Sequence, residues 1–162
     1  MRRINTLIVA VIALLLFTIG WFLPLHDYIT PREGVGYALG WIGAIGMMLA
    51  SSYALRKRFH RLFDWIGNQR MIFDVHIIFG IFGPILILYH CGYKLGATNS
   101  NVALYSMIAV VASGVIGRYL YMRVEKSSLI KKLFSWWHAI HLPFLGMLIV
   151  ATIFHILASF MY

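Results

Sequence analysis

Imidazole readily offers a metal a neutral nitrogen lone pair, and this chain sets four of its seven histidines in two matched pairs, His76 with His90 and His141 with His155. Both pairs are fourteen residues apart and both lie in apolar runs. At ~100° and 1.5 Å per residue, fourteen helical positions bring a side chain back to within roughly 40° of its first direction and about 21 Å further along. Each run, if helical, carries two imidazoles on one stripe. Two such helices face to face clamp a flat macrocycle at two levels, with one imidazole on either side of each iron; this predicts two stacked b-type haems. Burying an unpartnered imidazole is costly, so four in matched register point to a shared ligand rather than to packing.

The elements that must position these residues are membrane helices. With 61% hydrophobic and 12% charged residues and a mean hydropathy of +0.81, the chain is too apolar for a water-soluble domain. Five runs, about 5–25, 35–55, 71–92, 102–122 and 134–160, meet the ~20 residues that a crossing needs. The expectation is an all-α polytopic membrane bundle, a single transmembrane domain over 1–162 with about five helices around two stacked haems. Arg2 and Arg3 followed by an apolar stretch to Pro24 imitate a secretory signal. The stretch is long and lacks a small-residue cleavage pattern, so it reads as a retained first span. The one cysteine, Cys91, excludes an internal disulfide and any CxxC or CxxCH site, so haem would be held non-covalently.

A net charge of +9 raises the question of nucleic acid, but the basic residues gather in the connections between apolar runs, which is a topology signal. Arg2 and Arg3, then Arg56, Lys57, Arg58, Arg61 and Arg70, then Arg118, Arg123, Lys126, Lys131 and Lys132 fall on one side of a five-span arrangement. Arg32 and Lys94 fall on the other. The positive-inside rule then puts the N-terminus and both basic loops in the cytoplasm and Tyr162 outside. Segment 56–70 alternates basic residues with Phe59, Leu62, Phe63, Trp65 and Ile66, as in an amphipathic helix lying on membrane lipid. The link GATNSN offers Asn99, Ser100 and Asn101 as helix caps.

Spans three and five run in the same direction, so His76 is level with His141 near the cytoplasmic face and His90 with His155 near the outer face. Gly80, Gly83, Gly114 and Gly117 leave room either for a macrocycle or for another helix. Pro84 removes an amide donor between the two levels and predicts a bend. Haem propionates need cations: Arg118 and Arg70 are the candidates at the inner level, Lys94 and Arg32 at the outer. His138, three residues before His141, has no partner at the matching spacing and reads as a propionate or quinone contact, or as an interfacial residue. Asp74 either stabilises the start of its helix or passes a proton to a quinone. His26 and His60 fall in connections.

These residues resemble the transmembrane domain shared by ferric reductases, NADPH oxidases and bacterial dihaem cytochromes b. The likeness rests on H-x13-H in the third span and again in the fifth, and on WWHAIHLPF at the start of the second haem helix. It covers the chain from the second span onward. It implies two b haems, each iron between two histidines, carrying single electrons across a membrane, such as a bacterial inner membrane. Family members often continue into a sixth span and a flavin and nicotinamide domain, and no nucleotide fingerprint occurs in these residues. The expected donor is therefore a quinol of the quinone pool or a redox partner protein, with the chain acting as the electron-transfer component of an oxidoreductase. The alternative is a haem-binding anchor or scaffold of a larger membrane complex, or a haem sensor.

Overall fold

The computed structural model describes residues 6–58 and 68–161. Among these, every regular element is helical: α1 (Thr6–Phe22), α2 (Gly34–Arg58), α3 (Gln69–His90), α4 (Thr98–Tyr121) and α5 (Ser128–Met161), with 3-10 turns at Leu25–Asp27 and Val124–Lys126. Helices are what apolar chains of this length form in hydrocarbon, where every backbone amide and carbonyl must be paired within the segment. Four stretches, Gly34–Ala54, Met71–His90, Thr98–Tyr121 and Ser128–Met161, are long and apolar enough to cross a membrane. Between 11% and 22% of the residues in their most apolar windows are covered by protein. Water is a poor solvent for that much bare apolar surface, and lipid is a good one.

The first helix stops at Phe22, three residues before the expected end of its apolar run. Pro24 disfavours helical geometry in the residue before it, and the chain turns at Leu25–Asp27. At the other end of the chain, α5 starts at Ser128, six residues before the expected 134. The Ser127 hydroxyl accepts the Leu129 amide at 3.2 Å and holds this earlier start. α4 likewise begins at Thr98 behind Ala97, which makes no side-chain cap. Asn99, Ser100 and Asn101 therefore lie inside the first turn rather than at its cap position, and Asn99 Oδ1 accepts the first-turn amide of Ser100 at 2.9 Å. Asn101 instead ties down the preceding loop, accepting the Gly96 amide at 2.8 Å and donating to the Gly96 carbonyl at 3.0 Å. Most of the expected interfacial helix 56–70, with His60 and Trp65, falls outside the described residues, as do Arg2 and Arg3.

The chain forms two compact units, residues 1–94 and 95–162. In the first, α2 and α3 pack antiparallel through small residues. A Cβ on Gly43 would stand 2.9 Å from Ile87 Cδ1 and 3.0 Å from the Gly83 oxygen, and one on Gly83 would stand 2.9 Å from Met47 Cγ. This is the close backbone approach that drives helix association in lipid. α1 leans on the end of α3, where Tyr89 donates to the Leu16 carbonyl at 2.8 Å and Tyr93 to the Phe17 carbonyl at 3.3 Å. Gly92 and Tyr93 both have φ of 57°, and the Tyr93 amide reaches back to the Leu88 carbonyl at 3.1 Å to close the helix. A left-handed non-glycine residue costs about 1–2 kcal/mol. The Tyr93 ring offsets it by packing edge-on against Phe17, Trp21 and Tyr89.

In the second unit α4 and α5 are antiparallel, with Ser106, Met107, Ser113, Leu148 and Ala151 buried. The indole of Trp137 lies where Gly117 would carry a Cβ. Both α3 and α5 run through an internal proline, Pro84 and Pro143.

Candidate functional site

The chemistry of a histidine ligand is set by which ring nitrogen carries the proton. In the first unit both α3 histidines reach across to α2: His76 Nδ1 lies 2.8 Å from the Ala50 carbonyl oxygen and His90 Nδ1 lies 2.8 Å from that of Gly36. A carbonyl only accepts, so each Nδ1 donates. In the neutral ring the lone pair is then on Nε2. The two acceptors, Gly36 and Ala50, are themselves fourteen residues apart. Antiparallel packing matches them to the two rings.

His141, in the second unit, is held by a different route to the same state. Its Nδ1 is 2.7 Å from Ser113 Oγ, and that hydroxyl donates its single proton to the Val110 carbonyl at 2.8 Å. With the hydroxyl proton on the Val110 carbonyl, Ser113 Oγ accepts from Nδ1, and the neutral ring then carries its lone pair on Nε2. Trp137 stacks on the His141 ring with centroids 4.9 Å apart and donates its indole proton to the Ser113 carbonyl at 2.6 Å. Gly117 admits that indole. His155 is half-buried on α5 fourteen residues beyond His141. His138 differs, because its Nδ1 bonds the Phe134 carbonyl of its own helix at 3.0 Å.

Carbonyl or hydroxyl support on the far nitrogen is the arrangement that orients a histidine ligand and raises its basicity. Haem iron asks for one such nitrogen on each face. A bare metal ion asks for more, and among the described residues no three His, Cys, Asp or Glu side chains gather to hold one. Space at the histidines varies with the glycine. A Cβ on Gly80, one turn after His76, would meet nothing within 4 Å, and one on Gly114 would stand 3.8 Å from His141 Cε1. Both leave room beside a ligand ring for a flat group. Gly83 and Gly117 are taken up by Met47 and Trp137 in helix packing. The donor set and these two gaps fit haem.

Of the expected cations, Arg118 is half-buried on α4 one turn beyond Gly114, while Lys94 and Arg32 are exposed. The side chain of Arg70 falls outside the described residues. Asp74 is half-buried and is the sixth residue of α3, whose first turn holds no acid. It is too far along to stabilise the helix start, which removes that reading. Cys91, just past His90, is half-buried, and burial pushes its thiol up from the ordinary range. A thiol in that state packs rather than reacts.

An apolar groove of about 450 Å³ opens between α4 and α5, lined among others by Ser106, Gly146, Val150 and Phe154. Those α5 residues lie roughly a third to a half of a turn round the helix from the His141 and His155 stripe. It is a separate feature from the histidine rings. Sequence reasoning overlooked Ser113, Pro143 and the two α2 carbonyls. Ser113 left a trace in sequence, as a small hydroxyl residue next to Gly114 in an apolar run, and Pro143 stands in WWHAIHLPF, whereas the two carbonyls left none.

Among the described residues the architecture is all-helical, with four helices long and apolar enough to cross a membrane. Compared with known protein families, with curated proteins and with solved structures, the chain matches none.

Proposed function

We propose that this protein is an integral membrane b-type cytochrome that relays single electrons through two bis-histidine haems. His76 and His141 would hold one iron and His90 and His155 the other, the two histidines of each helix being about 21 Å apart along its axis by helix rise. When bound, haem supplies a one-electron iron couple. The chain's residues do the rest. The Ala50 and Gly36 carbonyls and the Ser113 hydroxyl fix the donor nitrogens, and the apolar helices keep water from the irons. Arg118, Arg70 and Lys94 would neutralise propionates. Asp74 and His138 stand as the groups to pass protons where a quinol is the donor.

The observation that carries this reading is that His76 and His90, fourteen residues apart on α3, both donate from Nδ1 to α2 carbonyls that are themselves fourteen residues apart, which puts the lone pair of each neutral ring on Nε2. The opposite signal, Nε2 tied up in protein hydrogen bonds, would suit a packing role. Electrons would pass between a quinol or cytoplasmic-side partner and an outer-side acceptor, the positive-inside rule assigning the basic connections after α2 and α4 to the cytoplasm. The test is a reduced-minus-oxidised absorption spectrum with pyridine haemochrome stoichiometry on the detergent-purified chain. Two low-spin, six-coordinate b haems per chain are expected. A folded protein made with ample haem that carries none would sink the proposal.

A further inference from the structure

α2 contains no histidine, yet both histidines of α3 depend on it. Each leans on a carbonyl inside the helix, whose second lone pair remains available after the ladder bond is made. The two rings are nevertheless seated differently. His76 lies among aromatic rings, with Tyr53 at 5.4 Å and Phe73 at 6.5 Å between centroids. His90 lies over a bare patch of α2, where a Cβ on Gly40 would stand 2.7 Å from Nδ1, 2.9 Å from Cε1 and 3.2 Å from Cγ. Gly40 is one turn after Gly36, the residue whose carbonyl the ring grips. The notch and the hydrogen bond therefore act on one ring together.

We infer that Gly40 is a positioning residue for His90: its missing side chain is what lets the ring reach the Gly36 carbonyl, and so it tunes one of the two haem sites and not the other. The inference rests on the proposed role of His90 as an iron ligand. An imidazole is rigid, and the atoms in the way are ring atoms rather than the end of a flexible chain. A methyl group at residue 40 must push the ring off its acceptor or force α2 and α3 apart. Without the carbonyl, Nε2 becomes a weaker donor, which favours the ferrous over the ferric state. Loss of such a supporting partner typically weakens metal retention about 10- to 100-fold.

The test is Gly40→Ala in the full chain, with Gly46→Ala as the control. A Cβ on Gly46 would also be tight, 3.0 Å from Phe79 Cδ1, but it touches no histidine. Redox titration of Gly40→Ala should raise one of two potentials and leave the other at the wild-type value, while Gly46→Ala leaves both. Unchanged potentials in Gly40→Ala, equal shifts of both, or the same shift in Gly46→Ala would overturn the inference. A readout without haem separates it from the functional proposal: 15N-histidine NMR of the haem-free chain, assigned with His90→Gln, should show His90 protonated at Nδ1 and altered by Gly40→Ala. A chain that binds no haem yet shows this change breaks the cytochrome reading and keeps the role of Gly40. Should Gly40→Ala fail to fold, the wild-type spectrum decides. An exchange-protected Nδ1 proton on His90 supports the notch, and a ring protonated at Nε2 overturns it.

Discussion

The two halves of this protein solve one problem by different means. In residues 1–94 the rings of His76 and His90 are anchored by backbone carbonyls of α2. In residues 95–162 the ring of His141 is anchored by a side chain, Ser113, with Trp137 stacked against it. A backbone anchor cannot be deleted by substitution and is disturbed only by changing the space around it, as at Gly40. A side-chain anchor can be removed with one atom. The first half is thus protected against most single changes near its rings, and the second is open to them.

That contrast can be broken most forcefully at the ligands themselves. Replacing any one of His76, His90, His141 or His155 with Ala should remove one haem of two. The double variant of His76 and His141 should keep one haem while that of His76 and His90 keeps none, as counted by pyridine haemochrome. One haem left in the second pair would end the proposed pairing. A smaller effect is expected at the support of the second half. Gly117→Val drives a branched side chain into the Trp137 indole and should cost up to about 3 kcal/mol of stability, read by thermal melting of helical circular dichroism in detergent. Wild-type melting would show that the indole has room to move away.

Ser113→Ala tests the side-chain anchor directly. It takes away the hydrogen-bond partner of His141 Nδ1 but keeps the backbone carbonyl that Trp137 uses. Retention of one haem should weaken about tenfold, the lower end for a supporting partner, measured by transfer of haem to an apo-acceptor protein. Equal weakening of both haems would contradict independent anchoring. The mildest change is Tyr93→Phe at the end of α3, where a 3.3 Å hydrogen bond is lost, worth about 0.5–1 kcal/mol. It also carries a pH signature. Burial, with Tyr89 and Cys91 adding to it, pushes the Tyr93 hydroxyl up from 10.0 to about 12. Because the folded-state value is the higher, its contribution is whole below pH 10 and is lost as pH climbs towards 12. Melts between pH 9 and 12 should therefore fall more steeply in wild type than in Tyr93→Phe.

Sequence alone determined the helical class, the apolar spans after the first, and the two histidine stripes. Those are local properties: hydrocarbon demands helices of a given length, and 3.6 residues per turn decides which side chains share a face. Sequence was less sure of where helices begin and end. Pro24 stopped α1 early and Ser127 started α5 early, and each outcome depends on a competition between neighbouring residues that composition does not weigh. Asp74 shows the same weakness, since its role at a helix start vanished once the start was found at Gln69.

Only the tertiary structure decided what each glycine is for and what each imidazole holds. Gly80 and Gly83 look alike in sequence, but the rotation of α3 against α2 leaves the first beside open space and presses the second onto Met47. The Nδ1 partners of His76 and His90 are carbonyls, which every residue possesses, so no residue type could have flagged Gly36 or Ala50. Their selection comes from the antiparallel register of two helices, a relation that exists only once the chain has packed.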